Sequence, residues 1–366
     1  MIPINKPLLG KEEADAVLKV LQSGILTNPM PEGGPNLRAF EAELESYTRA
    51  KHAVAVNSGT AALYLSLLVV GVGPGDEVIV PSFTFIATAS AVMIKGAKPV
   101  FVDIDPGTYN MSPDAFKKAI TRKTKAVIPV DLYGLPAHID AIGEIAEDKG
   151  ISVIEDACQA QGASSGGRMA GTLGNMGCFS FYPGKVMTTG EGGAVITDDD
   201  ALAERLRRTR THGQIKGYDS VMLGGNFRMP EIEAALGRVQ LKKLPGFLAK
   251  RAENAKVLTE ELAGTKVVPP LVPEGMKHNW YLYTIRCNSN KEREGLRQKL
   301  TEAGFGVAIY YPIPVHRTPY YADQGYDKLD LPETERAAET VLSLPVNPLV
   351  MANDLEKMLE IIKKYQ

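Results

Sequence analysis

Lys185 is the residue of this 366-residue chain best placed for chemistry. It lies within residues 179–195, FSFYPGKVMTTGEGGAV, directly after Gly184 and five residues before a glycine-rich turn. An amine held between two apolar segments is a candidate nucleophile toward a carbonyl and, once free, a general base; a solvated surface lysine is the plain alternative. Three other stretches carry comparable potential. Asn57-Ser58-Gly59-Thr60-Ala61 is a small-residue turn opening an apolar helical run, and its backbone N–H groups and hydroxyls suit either a phosphate or an ordinary helix cap. Phe83 and Phe85, in PSFTFIATA, offer a face for a planar ring or simply core volume. Glu155-Asp156 follows an apolar run, where an unpaired carboxylate is costly. It reads as a structural ion pair or cap, or as an anion holding a buried cation such as a protonated ring nitrogen.

These residues need a scaffold that brings them together. β-rich runs at 53–57, 77–81, 100–104, 126–130 and 151–155 alternate with helical patterns: 61–70, one opened by Ser112-Pro113, and one marked by Ile139, Ile142, Ile145 and Ala146 and closed by Gly150. Such alternation predicts right-handed crossovers and a mostly parallel sheet covered on both faces. Runs at 178–182 and 193–197 raise the count to seven strands. The ten residues between them are too few for a helical crossover, so one of the two should run antiparallel to its neighbours. Before the sheet come a helix over 11–23, with Ala14, Val17, Leu18 and Leu21 on one face, a proline- and glycine-rich loop, and a helix over about 37–50. After it the pattern turns helical: Leu202 with Leu206, a helix opened by Pro230, and another over about 246–263. A second unit follows, with strands at 280–287 and 307–311 and helices around Leu296, over 334–342 and over 353–364. The fold class is α/β, with a large domain over 1–245 and a smaller α+β domain over 246–366.

Ligands of open α/β sheets bind beyond the C-terminal strand ends, where all four candidate stretches fall. An amine, a phosphate cradle, an aromatic face and a buried carboxylate make the inventory for pyridoxal 5'-phosphate. Lys185 would condense with its aldehyde, Asp156 would keep the pyridine nitrogen protonated, and the 58–61 turn with Ser180 would hold the phosphate. Composition excludes other classes. The formal charge is -2, from 41 basic and 43 acidic residues without a basic block, so neither nucleic acid nor an anionic membrane is favoured. Apolar runs such as 61–70 are too short for a bilayer and the N-terminus lacks a signal peptide's apolar core, which leads us to expect a cytoplasmic protein. Cys158, Cys178 and Cys287 are widely spaced without a CxxC, so no disulfide framework or metal site is expected.

The motifs NSGTAALYL, GPGDEVIVPSFTFIATA, GAKPVFVDID, TKAVIPVDLYG, VIEDACQAQGA, GCFSFYPGK, GEGGAVITDD, GGNFRM, YYPIPVHRTPYY and SLPVNP, in this order over nearly the whole length, resemble the DegT/DnrJ/EryC1/StrS family of nucleotide-sugar aminotransferases, which have pyridoxal phosphate fold type I. The resemblance implies a fold type I transferase with a seven-stranded, mostly parallel sheet. It makes Lys185 the Schiff-base lysine and Asp156 the partner of the pyridine nitrogen. It puts Phe85, rather than Phe83, over the ring, Gln159 near the ring hydroxyl, and Gly59, Thr60 and Ser180 at the phosphate. It makes Asn226 a residue that reaches the phosphate of the neighbouring subunit, hence a homodimer with shared sites. Thr27, Tyr311 and His316 resemble positions near the substrate. The activity implied is transfer of an amino group from glutamate to a keto nucleotide sugar, in polysaccharide or related amino-sugar biosynthesis. Relatives that act as dehydratases resemble the family with histidine at the lysine position, which Lys185 disfavours. An amino-acid or amino-cyclitol aminotransferase of the same fold, with Arg228 or Arg317 for a carboxylate, and a regulator that binds the cofactor without turnover are the alternatives. Sequence does not name the sugar, the nucleotide, the position aminated, or glutamate over glutamine as donor.

Overall fold

A computed structural model describes residues 1–365. Seven strands form the central sheet: β1 (His52–Val56), β2 (Glu77–Pro81), β3 (Lys98–Val102), β4 (Thr124–Val127), β5 (Ser152–Asp156), β6 (Met176–Ser180) and β7 (Gly193–Thr197). Their order is β1-β7-β6-β5-β4-β2-β3. β7 pairs antiparallel with both β1 and β6, and every other pairing is parallel. The short 181–192 connection requires this reversal, as the spacing predicts. β6 and β7 are buried at every position, as strands covered on both faces must be. On one face the helices Gly59–Val69 and Ala87–Ile94 enclose Leu63, Leu65, Val80 and Ile154; on the other, Phe40, Phe179, Phe181 and Leu244 form a second core.

The sequence pattern missed the helix Ala87–Ile94, whose residues are apolar nearly all round and so lack a 3.6-residue stripe. The helix Lys11–Ser23 forms, but Leu18 and Leu21 on its apolar face are about half exposed; its buried residues are Glu13 and Val20. Glu13 decides the orientation, because its carboxylate accepts hydrogen bonds from Gln240 Nε2 and Lys243 Nζ, both at 2.8 Å.

The two helices expected around Pro230 and from 246 are one helix, Glu231–Leu262, with Pro245 inside. A boundary at 245–246 thus falls mid-helix. Ala234, Leu241 and Leu244 pack in the second core beside the sheet, whereas Ala255, Leu258 and Leu262 join a core of C-terminal residues. There the expected strand over 280–287 is reduced to Tyr283–Arg286 (β8), since Trp280 sits at φ +57°, outside extended backbone. Its antiparallel partner is Val341–Leu344 (β9), because the helix expected over 334–342 ends at Thr340. Residues 307–311 contribute a single bridge, Ala308 to Ser343, rather than a strand.

The first residues belong to this C-terminal layer. Ile2 bridges Phe305, Asn347 Nδ2 donates to the Pro3 carbonyl at 2.7 Å, and the buried Arg251 donates to Asn5 Oδ1 at 2.7 Å and to the carbonyls of Trp280 and Tyr281. Among the described residues no helix is long and apolar enough to cross a membrane.

Candidate active site

β1, β2, β5 and β6 run in one direction, so the segments that leave them open on one edge. There they enclose a cavity of about 640 Å³, within the range of small-molecule sites. Lys185 lines it, in a turn closed by a hydrogen bond from its own N–H to the Tyr182 carbonyl at 2.9 Å, with Nζ 4.8 Å from the centre of the Tyr281 ring. Asp156 lines it from the end of β5, 5 % exposed. Its Oδ2 accepts from Thr88 Oγ1 at 2.8 Å and its Oδ1 from the Cys158 N–H at 3.3 Å, so the carboxylate is oriented although no cation touches it among the described residues.

At the end of β1, Ser58 caps the helix Gly59–Val69. Its Oγ accepts from Ala61 N–H at 3.1 Å and its carbonyl from Ala62 N–H at 3.0 Å. The N–H groups of Gly59 and Thr60 are met by no acceptor among the described residues. Unpaired donors at the positive end of a helix fit a phosphate dianion. The glycine is required by space. A Cβ at residue 59 would lie 2.7 Å from Ser180 Cβ and 3.0 Å from Cys158 Sγ. Gly59→Ala should therefore displace Ser180 and weaken cofactor affinity by about tenfold or more, the cost of one charge-assisted hydrogen bond, in an absorbance titration with added cofactor.

Phe85 lies over the cavity, 55 % exposed, with its ring 6.2 Å from that of Tyr311. Phe83 is buried among Tyr109, Tyr133 and Tyr311 and does not line the cavity. Gln159 lines it with its side chain fixed: Oε1 accepts from Tyr133 N–H at 2.9 Å and Nε2 donates to Tyr311 Oη at 3.4 Å. Burial pushes the Tyr311 hydroxyl well above its ordinary value, so it keeps its proton. Burial and then the charge of Asp156 raise the Cys158 thiol well above its ordinary value, which leaves it a packing group rather than a nucleophile.

Two expected positions lie elsewhere, and a third, expected to serve the neighbouring subunit, lies outside its own chain's cavity. His316 is wholly buried, between Ser82 Oγ at 2.7 Å from Nδ1 and Glu335 at 3.3 Å from Nε2; it braces the turn after β2 and does not reach the cavity. Thr27 is exposed, in a loop tied down outside the cavity by Arg210 and Thr211, which donate to the Pro31 and Pro29 carbonyls. Asn226 is also exposed and outside the cavity of its own chain. Conversely, sequence reasoning missed Thr88, Tyr182, Tyr281, Tyr310, Ile4 and Asn5. Thr88 and Tyr182 stood within motifs already singled out. Tyr281 and the N-terminal pair reach the site only through the C-terminal layer, for which local sequence holds no signal.

A lysine amine at this edge, with a fixed buried carboxylate and a helix N-terminus whose donors suit a phosphate, defines the class: a pyridoxal phosphate-dependent transferase of fold type I. The sequence profile of the DegT/DnrJ/EryC1/StrS aminotransferase family matches residues 7–363, and the chain belongs to that family. It is 40% identical to a "pleiotropic regulatory protein" of Geobacillus stearothermophilus, over 99% of both chains. It is 39% identical to the dTDP-3-amino-3,4,6-trideoxy-alpha-D-glucose transaminase of Streptomyces venezuelae, over 98% of this chain and 93% of the other. Among solved structures, the PLP-form of the sugar aminotransferase Spr1654 from Streptococcus pneumoniae superimposes with a TM-score of 0.93 at 30% identity, covering 100% of this chain and 98% of that one. The protein is thus an aminotransferase that uses pyridoxal phosphate.

Proposed function

We propose that the protein transfers the amino group of glutamate to a 3-keto or 4-keto nucleotide sugar, and that it does so as a homodimer. The observation that carries this reading is the cavity wall. Phe85, Tyr182, Tyr281, Tyr310 and Tyr311 give flat apolar faces with hydroxyl edges, the surface that a sugar ring and a base would meet. Arg228 and Arg317, which an amino-acid acceptor would need, bond instead to Thr211 and Glu335, outside the cavity. Lys185 is the cavity's single cation among the described residues, so the carboxylates of glutamate call for groups from a second subunit. The exposed loop bearing Asn226 is in keeping with such a contribution, with Asn226 reaching the neighbour's phosphate.

The residues divide the work as follows. The N–H groups of Gly59 and Thr60, with Ser180, would hold the phosphate; Asp156 would pair with the ring nitrogen, and Phe85 and Gln159 would serve the ring and its hydroxyl. Bound there, pyridoxal phosphate supplies an aldehyde for the incoming amine and an electron sink for the carbanion. Lys185 Nζ removes the α-proton of the donor as general base, and in the second half-reaction it delivers a proton to the sugar carbon that bore the ketone.

An absorption titration tests this reading. Glutamate should bleach the visible band of the purified protein, and one keto nucleotide sugar from a panel should restore it. A band indifferent to every amino donor would favour a regulator that binds the cofactor without turnover, and restoration by 2-oxo acids alone would favour an amino-acid aminotransferase.

A further inference from the structure

Behind Asp156 lie two further acids that catalysis does not use. Asp131 and Glu155 are both 0% exposed, and their carboxyl groups are within hydrogen-bond reach of each other. Glu155 is the residue before Asp156 on β5, and alternation along the strand turns it to the opposite face. Asp131 is joined to the same strand end, because its N–H donates to the Asp156 carbonyl at 3.1 Å.

The donors are unequally shared. Glu155 accepts from Gly171 N–H at 2.7 Å through Oε1 and from Leu173 N–H at 3.0 Å through Oε2. Asp131 Oδ1 accepts from Ala137 N–H at 2.8 Å, but its Oδ2 is buried with no donor directed at it. The titratable groups facing Asp131 are the carboxyl groups of Glu155 and Asp156, and no lysine, arginine or histidine bonds either buried acid among the described residues. Two ionised carboxylates are acceptors only and cannot bond to each other. We propose that Asp131 keeps a proton on Oδ2 and donates it to the Glu155 carboxylate, so that the buried pair carries one negative charge and fixes the strand end that presents Asp156. Burial and the neighbouring Glu155 charge raise Asp131 well above the usual carboxylate range, in agreement. The proton assignment at Asp131 does not rest on the function proposed above, whereas the positioning of Asp156 toward the cofactor does.

Asp131→Asn replaces the donating O–H with an N–H and keeps an acceptor for Ala137. In wild type the unfolded Asp131 ionises as pH rises while the folded one does not, so this group costs stability progressively up to its raised folded value. Denaturation midpoints of both proteins should therefore diverge between about pH 5 and 8, with the folding equilibrium moving in favour of D131N by up to about tenfold per pH unit. The infrared difference spectrum at neutral pH should show the carbonyl stretch of a protonated carboxylic acid in wild type alone. A gap that is constant or narrows with rising pH, a missing acid band, or failure of D131N to fold would each overturn the proton assignment. For positioning, Asp131→Ala should shift the pH profile of the cofactor's visible band while D131N leaves it in place; equal profiles in all three proteins would overturn that half.

Discussion

Lys185→Ala should lose transamination by at least ~10³-fold, within the range for removal of a catalytic acid–base group, while its fold persists. The side chain is not part of a core. Nζ makes no hydrogen bond or ion pair among the described residues and only faces the Tyr281 ring, and the turn around it is held by backbone, through the bond from Lys185 N–H to the Tyr182 carbonyl. Truncation at Cβ thus removes the amine and little packing. The variant should still bind cofactor through Gly59, Thr60, Ser180 and Asp156, but gel filtration should strip it, since no covalent link remains. Small primary amines supplied in the buffer should restore part of the proton transfer. Wild-type turnover in Lys185→Ala would place the reacting amine elsewhere, and unfolding of the variant would show that the lysine has a structural role absent from this geometry.

How far the sequence reached follows from which interactions are local. The bounds of β2 are legible, since EVIVP is a short β-rich run ahead of a serine and threonine turn, and connection length alone requires that one of β6 and β7 be reversed, which proves to be β7. Lys185, Asp156, Gly59, Thr60, Phe85, Gln159 and Ser180 come together in one cavity because each sits just past or at the C-terminal end of a strand, which topology makes predictable. What stayed hidden depends on distant partners. Leu18 and Leu21 form an apolar stripe, yet the carboxylate of Glu13, bonded to Gln240 and Lys243, turns that stripe outward. Pro245 looks like a break between helices, but the cores on either side extend one helix through it. His316 shares a motif with Tyr311, and only the placement of Ser82 and Glu335 draws it away from the cavity.

Asp156→Asn should fold like wild type and still lose roughly 10²–10³ in kcat, the scale for removing one preorganised electrostatic contact in a water-poor site. Asparagine has the same shape and can keep both contacts seen here, with an oxygen toward the Cys158 N–H and an amide toward the Thr88 hydroxyl, which can rotate because Thr84 Oγ1 lies 3.0 Å away. What disappears is the charge. At 5 % exposure an isolated carboxylate is expensive, and a protonated ring nitrogen is the cation that would compensate it; without that charge the ring nitrogen gives up its proton and the electron sink weakens. The loss should therefore fall on the chemical step more than on affinity for either substrate. Thr88→Val removes one hydrogen bond to Asp156 and leaves its charge, so it should cost much less than Asp156→Asn. Equal losses in the two variants would mean that orientation rather than charge is what Asp156 provides, and near-wild-type kcat in Asp156→Asn would show that the ring nitrogen is not its partner.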